Sequence, residues 1–444
     1  MVLVTRKLIQ PRTLKGFRDY LPAAMIPREW LIDTTKALYR SFGFSPIDTP
    51  VLEHAEILLG KGGDESDRQV YKFERGKREV AMRFDLTVPL ARFIAQHEHE
   101  LGLPFKRYHI GPVWRGENTQ RGRYREFMQC DFDTLGTEST MADIETGLVI
   151  HELFRAIGFE RFTIHVNNRK ILTGLLTSLE LQDQAVPVLR ALDKIKKIGP
   201  DKARAEMAET AGATDAQSQA IVEFSQVSGS NAEVLARIEP LVDGTDLGCE
   251  GLGQLHEVLD GMAAGGVDDE FVHLDIAIAR GLDYYTGTIY ETFLGDLPDI
   301  GSVCSGGRYD DLASTYTRSH IPGIGASLGL DRLLAAMEEL GRLQKVTTPA
   351  PVFLAQFSED RGNDYCKLAM ELRRAGIGVE LYPSVRKLGE QLKYADRRGF
   401  QIAVIIGDDE WEAGTCQVKE LGTKQRSEVG QGELEAKLRE LLAP

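Results

Sequence analysis

The segment Arg280-Gly281-Leu282-Asp283-Tyr284-Tyr285, running on through Thr286 to Glu291, puts an arginine, an aspartate and paired tyrosines on a β-type run. Those types make a poor core. They suit a pocket that holds an anion and a flat polar ring. Four other segments gather Arg, Asp, Gln and Tyr where a core would want Leu and Val. In Arg83-Phe84-Asp85-Leu86-Thr87, Asp85 and Thr87 would share one face of a strand and could grip an ammonium group; alternatively, one of them caps a helix opening at Val88-Pro89. Arg115, Arg121, Arg123 and Arg125 crowd one polar stretch. Guanidinium groups bind phosphate bidentately, so this loop reads either as a clamp for a triphosphate or a nucleic-acid end, or as a solvated basic hairpin. In Gln129-Cys130-Asp131-Phe132-Asp133 the odd positions share a face, which on a central strand lines either a site or water. Finally, Ser305 to Asp311 and Pro322 to Arg332 are rich in small residues, which let a ligand approach the backbone. Neither carries a Walker A lysine or a GxGxxG fingerprint.

The elements that must position these residues follow from periodicity. Residues 14–42 read as a lead-in and an amphipathic helix, and 45–53 as extended, since Pro46 and Pro50 forbid a helix interior. Alternation predicts a hairpin over 69–82, strands over 106–113 and 127–135 around the arginine-rich loop, and a strand over 161–166. Helices are expected at 88–100 and 141–157. Many strands with few βαβ repeats indicate an α+β fold, an antiparallel sheet flanked by helices. Residues 169–270 lose strand signals and read as a helical insertion. The β pattern then resumes to about 317, and a helix over about 326–344 closes the unit. After the linker-like stretch Thr347 to Pro351, strand–helix alternation predicts a small α/β domain with largely parallel strands.

At 444 residues the chain exceeds one compact core. No apolar run approaches the ~20 residues that span a bilayer, and residues 1–28 lack the unbroken apolar stretch of a signal peptide. The five scattered cysteines lack CxxC pairing, which points to reduced thiols in a cytoplasmic protein and against structural zinc. The net charge of −14 is concentrated: residues 169–270 hold 9 basic and 18 acidic side chains, and residues 351–444 hold 14 and 16. Nucleic acid binds local basic surface, so the global charge does not exclude an RNA partner.

Together these segments resemble the histidyl-tRNA synthetase family of class II aminoacyl-tRNA synthetases over nearly the whole chain. Pro46 to Glu53 is similar to motif 1, which forms the dimer interface, residues 111–135 to motif 2, and residues 322–334 to motif 3. Arg280 to Tyr285 and Ser305 to Tyr309 resemble the two histidine-specific signatures, and residues 122–133 resemble the eukaryotic-type branch more than the commoner bacterial sequence. The resemblance implies a catalytic domain in two parts (1–168 and 271–346), a helical insertion (169–270) and an anticodon-binding domain (351–444). It implies ATP-dependent attachment of L-histidine to tRNA(His) through a histidyl-adenylate, by a homodimer, with Mg2+ carried on the ATP phosphates and no metal site of the protein's own. Asp85 and Thr87 would bind the α-amino group, while Gln129, Asp133, Tyr284, Tyr285 and Tyr309 would surround the imidazole. Arg115 and Arg280 would flank the α-phosphate as the catalytic pair, and Arg332 would reach the ATP tail and adenine. The common bacterial enzymes read an extra 5′ guanosine of the tRNA through a motif 2 loop arginine; here that loop, Gly116 to Gln120, has none. A rival implication is the inactive paralogue that serves as regulatory subunit of ATP phosphoribosyltransferase. Such paralogues usually lack the C-terminal domain and have degraded histidine signatures, whereas this chain has that domain and intact signatures.

Overall fold

The computed structural model describes residues 9–60, 67–278, 285–343 and 346–443. Among these, two compact units separate, one within residues 9–18 and 31–342 and the other within 19–30, 343 and 346–443.

The first unit is organised by an eight-stranded sheet. Its strands, in chain order, are β1 (Ser45–Pro46), β5 (Phe105–Trp114), β6 (Glu126–Leu135), β7 (Phe162–Asn168), β8 (Val272–Leu274), β9 (Thr288–Leu294), β10 (Cys304–Tyr309) and β11 (Gly323–Gly329), with β2 (Leu52–His54), β3 (Lys72–Arg75) and β4 (Arg78–Met82) forming a separate small sheet. The order across the large sheet is β1-β5-β6-β11-β10-β9-β7-β8; its central pairings are antiparallel and only its two outermost are parallel. This is the expected α+β architecture.

β6 shows how the sequence sets the two faces. Cys130 and Phe132 point to the apolar side, where Phe132 packs 5.0 Å from the ring of Tyr39 and 5.4 Å from Phe44. The Tyr39 hydroxyl also donates to the Cys130 carbonyl, 2.9 Å. Period-two geometry then turns Gln129, Asp131 and Asp133 to the opposite face. The flanking helix Thr140–Ile157 begins where the Ser139 side chain accepts from the Met141 N–H, and it ends at Gly158 in the left-handed region.

Residues between β7 and β8 are helical from Arg169 to Ala264, among the described residues. Capping boxes at Thr214 and Ser230 explain two of these starts. One open alternative is decided and one local expectation fails. Residues 83–87 are not a strand: β4 ends at Met82, and Thr87 opens the helix Thr87–His97. The helix expected over about 326–344 is shorter and starts later: residues 323–329 are a strand, because the run of small residues pairs with β6 and β10, and the helix runs only from Leu330 to Glu339.

The second unit carries a five-stranded sheet ordered β13 (Val379–Leu381), β12 (Val352–Leu354), β14 (Ile402–Ile405), β15 (Thr415–Glu420), β16 (Arg426–Gly430). The first three are mutually parallel, and the last two form an antiparallel hairpin, so the sheet is mixed. The helices Gly362–Arg374 and Leu388–Arg398 cover it, and Tyr365, Val404 and Val418 lie in its core. No helix of the described residues is long and apolar enough to cross a membrane.

Candidate active site

Strand register carries polar residues across the large sheet in two adjacent rows. One runs His109 (β5), Asp131 (β6), Ser327 (β11), Ser305 (β10), Glu291 (β9), His165 (β7). The next runs Arg107, Asp133, Gly325, Gly307. Side chains over these rows line two adjoining cavities of about 320 and 170 Å³, which share Arg115, Gln129, Ser305 and Ser327.

The smaller cavity brings together most of the residues expected to bind an amino acid: Asp85, Thr87, Gln129, Asp133, Tyr285 and Tyr309. Glycines make this convergence steric as well as chemical. A Cβ on Gly325 would collide with the Asp133 carboxylate and the Phe132 carbonyl, and one on Gly307 would sit about 3.0 Å from the Tyr285 ring. Tyr309 donates its hydroxyl to Oδ1 of Asp133, and Oδ2 of Asp133 lies 2.6 Å from the guanidinium of Arg107, which is fully buried. The latter contact is an ion pair without hydrogen-bond alignment. Burial raises the Asp133 carboxyl, while Arg107 and the Tyr309 hydroxyl oppose that rise. Burial raises Asp85 too, against the Val88 N–H and Arg115. The Val88 N–H donates to Oδ1 of Asp85, 3.0 Å. Asp85 thus accepts from an N–H in the first turn of the helix, one residue before the N-cap position Leu86, and also faces the pocket.

Arg115 stands where the two cavities meet. Its Nε donates to the Phe84 carbonyl, 3.1 Å, and the guanidinium carbon lies 4.3 Å from the Phe84 ring centroid and 5.1 Å from that of Phe127. Held on both sides, it can present its remaining N–H groups without reorganising. The larger cavity is lined by Glu117, Arg123, Ser302 and Arg332 as well. Arg332 donates to the Ser302 carbonyl. Of the expected arginine clamp, Arg123 faces this cavity, whereas Arg125 is tied to the Glu117 carbonyl, 3.1 Å. Arg308 serves the frame: its Nε donates to Oδ1 of the buried Asp143, 3.1 Å, fixing β10 to the helix Thr140–Ile157. Arg280 and Tyr284 lie outside the described residues.

Three buried residues at the site escape the sequence reading. Arg107 is one. His109 is another: its Nε2 lies 2.9 Å from Oδ1 of Asp48, and burial, with Arg107 and Arg83 nearby, pushes its pKa down to about 3, so the ring is neutral. The third, Asp331, accepts from the Met128 N–H and from Arg18 and anchors the helix Leu330–Glu339 to β6. A period-two count from Arg107 through His109 to Gly111, set against the polar face of β6, is the signal available for the first two.

A largely antiparallel sheet bearing an arginine-lined cavity beside a carboxylate- and tyrosine-lined one is the arrangement that the resemblance to class II aminoacyl-tRNA synthetases implies. The comparisons name the branch. The family model described as histidyl-tRNA synthetase matches residues 16–333, and one described as an anticodon binding domain matches 352–441. The chain is 60% identical over 423 residues to a histidine–tRNA ligase of Rhodopirellula baltica, covering 95% of this chain and 96% of that one. It is 45% identical to the Wolinella succinogenes ligase, at 93% and 94% coverage. A crystal structure of histidyl-tRNA synthetase from Nostoc superposes with a TM-score of 0.89 at 36% identity, covering 98% of this chain and all of that one. The chain belongs to the histidyl-tRNA synthetase family. These relatives are bacterial and lend no support to the expected kinship with the eukaryotic-type branch.

Proposed function

We propose that the chain attaches L-histidine to its cognate tRNA, first forming histidyl-adenylate from histidine and ATP and then passing the acyl group to the tRNA 3′-terminal ribose. The observation that carries this reading is the place of Arg115, at the shared wall of a pocket built for a cationic, ring-bearing amino acid and a larger one lined by arginines. The histidine carboxylate attacks the α-phosphorus in line, and negative charge grows on the phosphate oxygens. A preorganised guanidinium stabilises that charge with no proton transfer. Arg280 is assigned the opposite side of the same phosphate, and Arg332 the ATP tail. Asp85 and Thr87 take the α-ammonium, and Gln129, Asp133, Tyr285 and Tyr309, joined by Tyr284, take the imidazole. A pocket of buried acceptors and hydroxyls rejects side chains that leave them unpaired, by up to ~10⁴–10⁵.

Mg2+ enters with ATP. Of the carboxylates in the larger cavity, Asp331 has both oxygens engaged and Glu117 faces Arg123 at 3.7 Å. The donor set thus fits a phosphate-borne ion better than one held by the protein. Residues 1–168 and 271–346 form the catalytic domain, 169–270 an insertion, and 351–444 the anticodon-binding domain of a cytoplasmic homodimer. Motif 1 leaves Val51 and Leu52 exposed, as a subunit interface requires.

A solved structure of the same fold, at 22% identity and TM-score 0.75, is described as an ATP phosphoribosyltransferase regulatory subunit/histidyl-tRNA synthetase from Bacillus halodurans. The intact pocket favours the ligase. Histidine-dependent ATP–pyrophosphate exchange, followed by tRNA charging, tests this. Exchange with histidine and loss of it in Arg280→Ala are expected. Absence of exchange, or exchange driven equally by proline, threonine or glycine, would overturn it.

A further inference from the structure

Asp131 has no assigned task, yet it lies in the amino-acid pocket. Its residue surface is 2% exposed, it lines the smaller cavity, and its Oδ1 has no hydrogen-bond partner among the described residues. A buried acceptor left open in this way costs free energy unless something fills it. The rest of the carboxylate is oriented by a relay: the Gln129 side-chain amide donates to the Ser327 hydroxyl, 2.9 Å, and that hydroxyl bonds Asp131.

Asp131 and Asp133 stand two residues apart on one strand face, about 6.6 Å along the chain at about 3.3 Å per residue. The two differ in their partners. Asp133 has Tyr309 on one oxygen and the buried Arg107 against the other, so it is the one that balances the arginine charge. Asp131 keeps an open oxygen. A histidine ring carries two nitrogens that point apart, so one partner cannot meet both.

We propose that Asp131 is a specificity-determining residue of the histidine pocket, offering its free oxygen to one ring nitrogen of the bound imidazole while Asp133 serves the other. This rests on the reading of the smaller cavity as the histidine site. The charged and titratable groups around Asp131 make the pairing adaptable. Arg107 and His109 face it from β5, Asp133 adjoins it on β6, Asp85 approaches from the turn before Thr87, and Arg83 lies beyond; Tyr39 and Cys304 lie near it and are neutral. Burial first, then the neighbouring carboxylates, pushes its pKa up to about 7. Around neutrality Asp131 can therefore accept from a ring N–H as carboxylate or donate to a bare ring nitrogen as acid.

The test is ATP–pyrophosphate exchange by the full chain with histidine and with its Nδ1-methyl and Nε2-methyl derivatives. Wild type is compared with Asp131→Asn, Asp131→Ala and Ser327→Ala, with Asp133→Asn as reference and circular dichroism confirming the fold. Asp131→Ala should raise KM for histidine by about 10- to 100-fold with a smaller change in kcat. It should admit one of the two methylhistidines, and Asp131→Asn should flatten the pH dependence of KM near 7. Ser327→Ala should show a weaker form of the same KM effect. If both Asp131 variants keep wild-type KM and reject both methylhistidines while Asp133→Asn loses histidine binding, the proposal falls and the pocket stands. If Asp133→Asn is silent as well, the pocket assignment falls with it.

Discussion

Tyr309 on β10 reaches across the intervening strand β11 to donate its hydroxyl to Asp133 on β6, passing over Gly323, where a Cβ would lie 2.5 Å from its ring, toward Asp133, which is in register with Gly325. Two residues 176 positions apart are thereby made one wall of a pocket. The bond orients Asp133 and occupies one of its lone pairs. Tyr309→Phe should leave the fold intact and lower kcat/KM for histidine by about 5- to 50-fold, as loss of a hydrogen bond to a charged group does. Gly325→Ala is a harsher test of the same wall. Its methyl group would have to displace Asp133 or the Phe132 carbonyl, so a stability loss of about 1–3 kcal/mol by denaturant titration and near-complete loss of exchange are expected.

Arg115 is fixed by a carbonyl and two aromatic faces, none of which a lysine can satisfy in the same way. Arg115→Lys keeps the charge but not the fork or the stacking. Single-turnover adenylate formation should fall by about 10²- to 10³-fold, in the range seen when one preorganised donor is removed from a developing oxyanion. An Arg115→Lys rate within about threefold of wild type would mean that point charge alone suffices there.

The raised pKa of Asp131 has a consequence for stability in the ligand-free chain. Folded, the group titrates at about 7; unfolded, it returns to its ordinary value of 3.8. Between those values the native state holds a proton that the unfolded state has released, so its contribution is fully present below pH 3.8 and fades as pH rises through 7. Asp131→Asn removes that loss. The variant should gain on wild type in thermal midpoint as pH is taken from about 5 to about 8, and a constant difference across that range would contradict the burial argument.

What the sequence makes legible follows a physical line. The polar face of β6 can be read from alternation alone, because period two is a local property. The joining of that face to Tyr309, Tyr285 and Thr87 cannot, since strand order is a product of long-range pairing; only the motif resemblance places them together. Asp85 is readable as cap or ligand; its Oδ1 accepts from the Val88 N–H and it lines the smaller cavity. Residues 326–329 read as helical because small residues before an amphipathic helix carry no strand signal, and what makes them part of a strand is tight pairing with β6 and β10. Arg107 and His109 sit unremarked inside a stretch that reads as an ordinary strand. A fully buried arginine is intelligible only once its carboxylate partner is known.

In the second unit, Arg386, Lys387, Lys393 and Arg397 are exposed or partly exposed on or beside the helix Leu388–Arg398, and Arg398 is among the basic residues at its end. If this face meets the anticodon, alanine at the first four positions should leave histidine-dependent exchange unchanged and cut kcat/KM for charging by about 10-fold or more. The slope of log KM against log salt should drop by about one per phosphate contact removed. Equal loss in both assays would instead indicate a folding defect.

The acceptor end is the remaining contrast. The loop Gly116 to Gln120 has no arginine, and its single charged side chain, Glu117, lines the larger cavity facing Arg123. The exposed tip, Asn118 to Gln120, offers amide and hydroxyl groups that hydrogen-bond either strand end without a charge of their own. An extra 5′ guanosine would bring one more phosphate, and without a guanidinium to meet it the gain should be small. Charging of transcripts with and without that nucleotide should therefore differ by less than about tenfold, one charge-assisted contact being worth about that much or more. Introducing the missing charge, as Gln120→Arg, should shift the preference toward the longer transcript. A strong wild-type preference for the extra base would show that another part of the chain reads it, and Arg121, exposed beside the loop tip, is the first residue to replace by alanine in that event.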